Sequence, residues 1–166
     1  PYIGNILFAR MRTALRLSEK TKTLEDLAKT DFLTGIKNRA CFDELASSAI
    51  SQAQRSELPV VIAMFDIDFF KLVNDDHGHD IGDRVLVAFA NCLTECFRSY
   101  DIIARVGGEE FAVCFPLTSI DKAIKACERL RANVEHMRLP LYMGLKNEIG
   151  ITVSIGVASG IGASLN

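Results

Sequence analysis

Apolar residues recur every three or four positions along three stretches of the chain, a spacing that predicts amphipathic helices. These predicted helices cover residues 38–55, 81–98 and 120–138. A short polar stretch that contains Gly78 and Gly82 leads into the second of them. Its apolar stripe consists of Val85, Leu86, Phe89, Ala90, Leu93 and Phe97.

The segments between these helices have the character of strands. Residues 60–65 form an unbroken apolar run, which is typical of a strand buried on both faces. Residues 102–106 and 111–115 predict two strands joined by a tight hairpin, and residues 149–158 predict a last strand. This order of elements predicts an α/β (α+β) fold with a central mixed, largely antiparallel sheet flanked by helices.

Residues 1–29 predict a separate amino-terminal helix. Eight positions with a 4-3-4-3 spacing are apolar in six cases. Such a seam is typical of a short coiled coil, and on spacing alone equally of a helix that packs on its own domain. We therefore divide the chain into a helical extension, residues 1–29, and one domain, residues 30–166. The seam is Ile3, Leu7, Arg10, Ala14, Leu17, Thr21, Leu24 and Ala28.

Composition narrows the class of protein. The chain has 166 residues, 49% hydrophobic and 24% charged, which fits one globular domain with a single core. Its net charge of −2 lacks the basic excess that binding a nucleic-acid polymer requires, so a nucleotide partner is expected to be small. Five cysteines without a CxxC pair favour reduced thiols and a cytoplasmic location. Any membrane anchor is expected outside this chain, because no apolar run approaches about 18 residues.

Two acidic clusters stand at the ends of predicted strands. Asp66 directly follows the buried run, where ligands commonly bind in such sheets. Glu109 and Glu110 follow Gly107-Gly108, which predicts a two-residue type I′ hairpin because glycine tolerates positive φ at both central positions. Alternation along a strand lets only one of the two glutamates face Asp66. Few carboxylates together with substrate phosphates suit Mg²⁺, so phosphoryl or nucleotidyl transfer is the expected reaction class.

The polar stretch between these clusters offers groups that could read a base. Asn74 provides an amide donor and acceptor, and the Asp83 carboxylate could accept the paired N1–H and N2–H₂ of guanine. The alternative for Asp83 is electrostatic support of a helix amino terminus. An EF-hand is excluded by Phe70 and Lys71, and ordinary loop histidines are favoured over a zinc site at His77 and His79.

Several segments, in order, resemble the signature motifs of the GGDEF-domain diguanylate cyclases, and together they span about residues 30–158. The third signature residue is glutamate instead of aspartate, which is an accepted variant. The matching segments are Asp31-Phe32-Leu33-Thr34-Gly35-Ile36-Lys37-Asn38-Arg39, Phe65-Asp66-Ile67-Asp68-Phe69-Phe70-Lys71, Asn74-Asp75, Gly78-His79, Gly82-Asp83, Arg105-Val106-Gly107-Gly108-Glu109-Glu110-Phe111 and Val153-Ser154-Ile155-Gly156-Val157-Ala158.

This resemblance implies a fold similar to the polymerase palm and class III cyclase core, and condensation of two GTP into cyclic di-GMP and two pyrophosphates. It implies Mg²⁺ or Mn²⁺ as the cofactor, with Asp66, the Ile67 carbonyl and Glu109 as ligands. Glu110 would be a further metal or structural carboxylate. Glu109 would also help to deprotonate the ribose 3′-hydroxyl. For the remaining substrate contacts it implies Lys71 on the phosphates, and Asn74, His79 and Asp83 on the guanosine.

The tetrad Arg98-Ser99-Tyr100-Asp101 also resembles the family's RxxD product-inhibition site, at its usual distance from Gly107. Arg98 and Asp101, with Arg129 from the following helix, are thus expected to bind cyclic di-GMP; the alternative is a surface pair at a helix end. An arginine can fork onto the guanine edge and stack on the base.

One nucleotide site per chain implies a homodimer for catalysis, with the amino-terminal helix coupling an upstream sensor domain to its geometry. Members of the family normally continue past the Ser-Ile-Gly strand into a carboxy-terminal helix, which this sequence does not include. The rival functions are a cyclic di-GMP or GTP receptor without turnover, and another palm-type nucleotidyl transferase or purine cyclase. The intact carboxylates disfavour the receptor, and the guanine-reading pair disfavours the other cyclases.

Overall fold

A computed structural model of the chain describes residues 29–141 and 148–160, together with Arg12. The predicted coiled-coil helix, apart from Arg12 and Lys29, and the carboxy-terminal residues 161–166 lie outside the described residues. The core is a five-stranded sheet in the order β1-β3-β4-β2-β7. Only the β1–β3 pair is parallel, so the expected mixed, largely antiparallel sheet is confirmed. Its strands are β1 (Lys37–Asn38), β2 (Val60–Ile67), β3 (Ile102–Arg105), β4 (Glu110–Pro116) and β7 (Val153–Gly160).

Four helices accompany the sheet within the described ranges. Three match the predicted ones within two residues: α1 (Arg39–Ser56), α3 (His79–Cys96) and α4 (Ile120–His136). The Asn38 side chain caps α1 by accepting a hydrogen bond from the Cys41 N–H at 3.0 Å. The fourth, α2 (Phe70–His77), was not predicted, because this part of the chain reads as polar loop. It turns directly into α3 at Gly78, whose φ of +84° suits glycine.

The sheet separates two hydrophobic cores. On one face, α3 and α4 cover the odd-numbered residues of β2, such as Phe65 and Ile67. On the other face, α1 packs on β3 and β4 through residues such as Phe42 and Ala112. The β2–β7 half of this second face is more open, since Met64 is 43% exposed and Gly156 is exposed. Asp66 lies on this open half-face.

An aromatic cluster runs through the first core from one end of the sheet to the other. Phe65 contacts Phe89 and Phe97, with ring centroids 6.5 and 6.0 Å apart. Phe89 then meets Phe111 edge to face at 4.8 Å, and Phe97 meets Phe115 in the same way at 5.1 Å. Phe65 and Phe111 are sequence neighbours of Asp66 and Glu110, so this packing fixes the backbone that carries the two carboxylates.

The predicted last strand differs in the structure. Ile149 belongs to a separate short hairpin, β5 (Leu139–Pro140) with β6 (Glu148–Ile149), and β7 begins at Val153. Gly150–Thr152 separate β6 from β7, and the apolar pattern alone does not reveal this break. All five cysteines are free thiols. In the described part of the chain, none of the helices has the length and apolar character needed to cross a membrane.

Candidate functional site

The two predicted acidic clusters meet at one end of the central strand pair. Asp66 on β2 is directly opposite Glu110 on β4 in the antiparallel register. Opposed residues share a face, so both carboxylates lie on the open half-face, beside Ser154 and Gly156. These residues line a shallow depression of about 340 Å³. The clusters come together as expected, but the glutamate opposite Asp66 in the register is Glu110 and not Glu109, which the resemblance gives as the metal ligand.

Glu109 lies one residue beyond this ladder, in the turn. Its carbonyl accepts a hydrogen bond from the Ile67 N–H at 3.4 Å. Glu109 is half-buried, whereas Glu110 is exposed. Because Glu109 lies in the turn, the alternation along β4 that aligns Glu110 with Asp66 does not constrain its side chain. The Asp66 and Glu109 carboxylates and the Ile67 carbonyl are therefore available at this edge of the sheet.

The predicted type I′ turn is wrong. The turn between β3 and β4 spans residues 106–109, and neither Gly107 nor Gly108 adopts a left-handed φ. Instead, the Val106 and Gly107 N–H groups both donate to the Glu110 carbonyl, at 2.9 and 3.2 Å. A Cβ on Gly107 would collide with the Glu110 carboxylate and lie 3.1 Å from its Cβ. A side chain at position 107 would therefore displace the Glu110 side chain.

Two arginines hold this turn from outside, and sequence reasoning did not assign either a role. Arg105 donates to the Gly108 carbonyl at 2.7 Å and forms an ion pair with Asp31 at 3.2 Å. Arg39 donates to the Val106 carbonyl at 2.6 Å. Both Asp31 and Arg39 lie in the first matching segment, so that segment braces the acidic turn.

The Asp31 carboxylate is well satisfied. The Thr34 N–H and hydroxyl donate to it at 2.9 and 2.6 Å, in addition to Arg105. Although burial by itself would raise it, the hydrogen bonds from Thr34 and the Arg105 guanidinium hold the pKa of Asp31 below its usual value. Asp31 is therefore an ionised anchor for the turn at neutral pH.

Asp68 is another carboxylate that sequence reasoning left without a role. The hydroxyls of Thr152 and Ser154 each donate to it at 2.6 Å, and its N–H donates to the Thr152 carbonyl at 3.0 Å. These donors occupy both carboxylate oxygens of Asp68. The hydrogen bonds tie the end of β2 to β7, and Asp68 thereby positions Asp66. The signal lay in the matching Asp66-Ile67-Asp68 and Val153-Ser154 segments, but their contact spans more than eighty residues.

The turn from β2 into α2 carries backbone strain. Phe69 has a φ of +58°, which costs a bulky residue about 1–3 kcal/mol, and its side chain is 81% exposed. The Leu72 N–H donates to the Phe69 carbonyl at 2.9 Å and starts the helix. Lys71 thus lies in the first turn of α2, exposed and without a partner among the described residues. Its ammonium is available for an anion near Asp66.

The proposed base-reading residues converge at the junction of α2 and α3. The Asn74 side chain lies against Gly82, so closely that a Cβ on Gly82 would collide with its carboxamide. Asp83 follows Gly82 in the second turn of α3, and His79 is the first residue of that helix; both are exposed. The structure therefore places Asn74 against the turn of α3 that carries Asp83, with His79 exposed at the start of the same helix.

We expect Gly82→Ala to weaken GTP binding at a modest cost in stability, because the added Cβ also lies 3.3 Å from the buried Phe70 ring. The added methyl displaces the Asn74 carboxamide, which is the end of a side chain and can move. Titration with a non-hydrolysable GTP analogue should show that the affinity is at least about tenfold weaker. This corresponds to the loss of one or more hydrogen bonds between neutral groups. Ser48→Ala, an exposed position on α1 outside the site, is the control. Unchanged affinity in Gly82→Ala would contradict the role of Asn74.

The three residues of the predicted product site lie at the opposite end of the sheet. Arg98, Asp101 and Arg129 line one cavity of about 290 Å³ between the end of α3, the end of β4 and the side of α4. Helix α3 connects the two regions: from Asp83 to Cys96 it spans about 20 Å at 1.5 Å per residue. The three residues therefore line one cavity, as their predicted common site requires, and this cavity is remote from Asp66.

Asp101 is the least satisfied polar group of the described residues. Its Oδ2 accepts a hydrogen bond from the Arg98 N–H at 2.9 Å, but its buried Oδ1 has no partner there. Burial raises the pKa of Asp101, and the N–H and charge of Arg98 only partly offset this. A buried acceptor that lines a cavity is suited to a ligand that brings a hydrogen-bond donor.

We expect Asp101→Asn to stabilise the free domain more at pH 7 than at pH 4. Because the folded-state pKa of Asp101 is raised, its favourable contribution is complete below the unfolded pKa and is lost as pH rises through the folded value. Asparagine removes that loss. The check is the difference in melting temperature between variant and wild type at both pH values, with exposed Asp43→Asn as the control. A difference that is larger at pH 4 would contradict it.

The acidic edge fits a divalent ion that is shared with a substrate. Among the residues that the structure describes, no group of three or more His, Cys, Asp or Glu side chains could hold a metal by itself. Asp66, Glu109 and the Ile67 carbonyl offer hard oxygen donors, which suit Mg²⁺ when phosphate oxygens or water complete its octahedron. The donor set therefore fits Mg²⁺ or Mn²⁺ bound together with a triphosphate.

The chain is similar in sequence to known proteins. The family described as diguanylate cyclase, GGDEF domain, matches residues 28–164. Response regulator PleD of Caulobacter vibrioides is 37% identical over 163 residues, which cover 94% of this chain and 36% of PleD. The chain thus spans little more than a third of the length of this curated relative.

Solved structures are similar as well. The coiled coil and GGDEF domain of DgcB from Caulobacter crescentus, in complex with c-di-GMP, superposes with a TM-score of 0.88 at 29% identity, covering 96% of this chain and 83% of that one. The active GGEEF domain of a diguanylate cyclase from Vibrio cholerae has a TM-score of 0.68 at 30% identity, covering 74% and 75%. Its name carries the same glutamate variant as Gly107-Gly108-Glu109-Glu110-Phe111.

Proposed function

Because the chain belongs to the GGDEF-domain family of diguanylate cyclases, we propose that it condenses two GTP molecules into cyclic di-GMP and two pyrophosphates. The observation that carries this proposal is the register that sets Asp66 opposite Glu110, with Glu109 one residue beyond. Receptor function alone does not require carboxylates that line the same depression.

In each half-reaction, the ribose 3′-hydroxyl oxygen of one GTP attacks the α-phosphorus of the other, and the bond to pyrophosphate breaks. Glu109 receives the hydroxyl proton, and Lys71 faces the negative charge of the triphosphate. Asn74 and Asp83 hold the guanine edge, and His79 contacts the guanosine from the rim. Repetition of the step with the roles of the two nucleotides exchanged closes the ring.

Asp66, the Ile67 carbonyl and Glu109 would hold Mg²⁺ or Mn²⁺, with Glu110 as a further carboxylate. When bound, the ion supplies neutralisation of the triphosphate charge. Asp68 keeps Asp66 in place through its bonds to Thr152 and Ser154, and the brace of Arg105 and Arg39 keeps Glu109 at the edge.

The described residues of one chain provide one such site, so the reaction needs two copies that present their nucleotides to each other. The open β2–β7 half-face leaves Asp66 accessible for that approach. We attribute to residues 1–29 a coiled coil that sets the geometry of this homodimer under an upstream sensor domain. We place the domain in the bacterial cytoplasm.

One assay tests the proposal. The purified chain is incubated with GTP and Mg²⁺ or Mn²⁺, and the products are separated by chromatography. Cyclic di-GMP and pyrophosphate in a 1:2 ratio, abolished by EDTA and restored by added metal, support it. Tight binding of cyclic di-GMP without turnover would instead assign the chain as a receptor. A different cyclic nucleotide would assign it to another cyclase class.

The second part of the proposal is feedback inhibition by the product at the cavity of Arg98, Asp101 and Arg129. It is supported by the unpaired, buried Asp101 oxygen and by arginines suited to guanine edges. The Asp101 carboxylate would accept the guanine N–H donors that the free domain lacks.

A further inference from the structure

The cavity at the carboxy-terminal end of α3 carries more positive charge than the RxxD tetrad accounts for. Four cationic side chains and a single carboxylate, Asp101, line it, so its net charge is +3 with Asp101 ionised. The four cations are Arg98, Lys122, Lys125 and Arg129. A space of about 290 Å³ with this charge is matched to a ligand with more than one phosphate.

The arginines already have protein partners. Arg98 donates to the Tyr100 hydroxyl and lies 5.6 Å from the centroid of its ring. Arg129 donates to the Cys96 carbonyl at 2.7 Å. Lys122 and Lys125, in contrast, make no hydrogen bond or ion pair with any residue that the structure describes. The lysines are therefore the cations available to a ligand without loss of an existing bond.

The helix geometry aims these lysines at one side. Lys122, Lys125 and Arg129 are separated by three and four residues on α4, which places them on one face in successive turns. Ala126, between them, also lines the cavity and leaves room below the charged ends. A lysine ammonium binds phosphate as a point charge and needs no fixed fork geometry.

We propose that Lys122 and Lys125 bind the two phosphates of the cyclic dinucleotide in this cavity, while Arg98 and Asp101 engage its bases. This rests on the proposed function of the cavity as the product site. It adds a phosphate-binding pair that the RxxD tetrad does not contain, and it makes the affinity for product strongly salt-dependent.

The test is calorimetric titration of the whole chain with cyclic di-GMP at two salt concentrations. We expect Lys122→Gln with Lys125→Gln to weaken binding about tenfold or more, with a shallower salt dependence. Lys122→Arg with Lys125→Arg should retain binding. The control is Arg131→Gln on the same helix, whose guanidinium is instead paired with Glu128 and Glu135; it should bind as the wild type does.

Dissociation rates distinguish contact from attraction at a distance. Direct phosphate contacts predict faster dissociation in the glutamine variant, whereas a change in the association rate alone means steering and overturns the proposal. If Arg98→Ala loses binding and the folded glutamine variant does not, the lysine pair is wrong and the product site stands. If the wild type does not bind, both fail, and this is separable from the turnover assay.

Discussion

Asp66→Asn is expected to lower the rate of cyclic di-GMP formation about 10³-fold or more. A bound metal contributes several kcal/mol of transition-state stabilisation, and each 1.36 kcal/mol is a factor of ten in rate. Asparagine keeps the shape but removes the charge. Because Asp66 is exposed at a strand end, the melting temperature should stay within a few degrees of the wild-type value.

The glutamates of the turn make this test specific. Glu109→Gln should lose as much activity as Asp66→Asn, because Glu109 is proposed both to bind the metal and to accept the proton of the 3′-hydroxyl. Glu110→Gln should lose about tenfold, because this side chain faces back over Gly107. Asp121→Asn, on the exposed first turn of α4, is the matched control and should be as active as the wild type. If Glu109→Gln stays active and Glu110→Gln does not, the assignment of the two is reversed.

Asp31→Asn is expected to destabilise the domain by about 2 kcal/mol at neutral pH, near the value for a hydrogen bond to a charged group. The ion pair with Arg105 is largely buried, with 16% and 14% of the two side chains exposed, so water does not replace the lost charge. For a domain of this size the melting temperature should fall by about 6 °C. Turnover should fall too, since Arg105 also holds the Gly108 carbonyl.

The pH dependence gives this prediction its sign. The folded pKa of Asp31 is lowered, so its contribution is complete above the unfolded pKa near 3.9 and is lost as pH falls through the folded value. The difference between variant and wild type should therefore shrink below about pH 4. A double-mutant cycle with Arg105→Gln measures the coupling. Lys29→Gln, which breaks an exposed pair with Glu44, should cost under about 0.5 kcal/mol. A similar cost at both pairs would show that the brace is unimportant.

The long elements could be predicted from the sequence because their apolar residues repeat with a clear period. The stripe from Val85 to Phe97 reproduces the buried face of α3. Helix α2 could not be predicted in this way. Only Phe70 and Val73 are buried among its eight residues, and Phe69 at its start has a left-handed φ and no capping side chain. Its helical form follows from tertiary packing at the end of β2, not from local propensity.

The same distinction applies to the candidate site, where some residues could be predicted from the sequence and others could not. Asp66 and the glutamates could be located because each adjoins a strand that the pattern reveals. The Arg105–Asp31 pair joins residues 74 positions apart, and the Asp68 hydroxyl bonds join residues 84 and 86 apart. No local pattern encodes such contacts. The prediction of the turn type was wrong for a related reason. The Glu110 side chain lies against Gly107, and its direction depends on the folded sheet.

The length of α3 affects how such a domain can change during evolution. Two of the residues proposed to bind the guanosine, His79 and Asp83, lie at one end of α3, and the cationic cavity lies at the other end, about 20 Å away, with no side chain in common. Added GTP would not displace an inhibitor bound at the far end, so repression would act on the maximal rate. Under the proposed function, selection could therefore weaken, sharpen or erase the feedback through residues such as Lys122 while the chemistry stays intact, so that catalysis and its set point would be separately heritable traits.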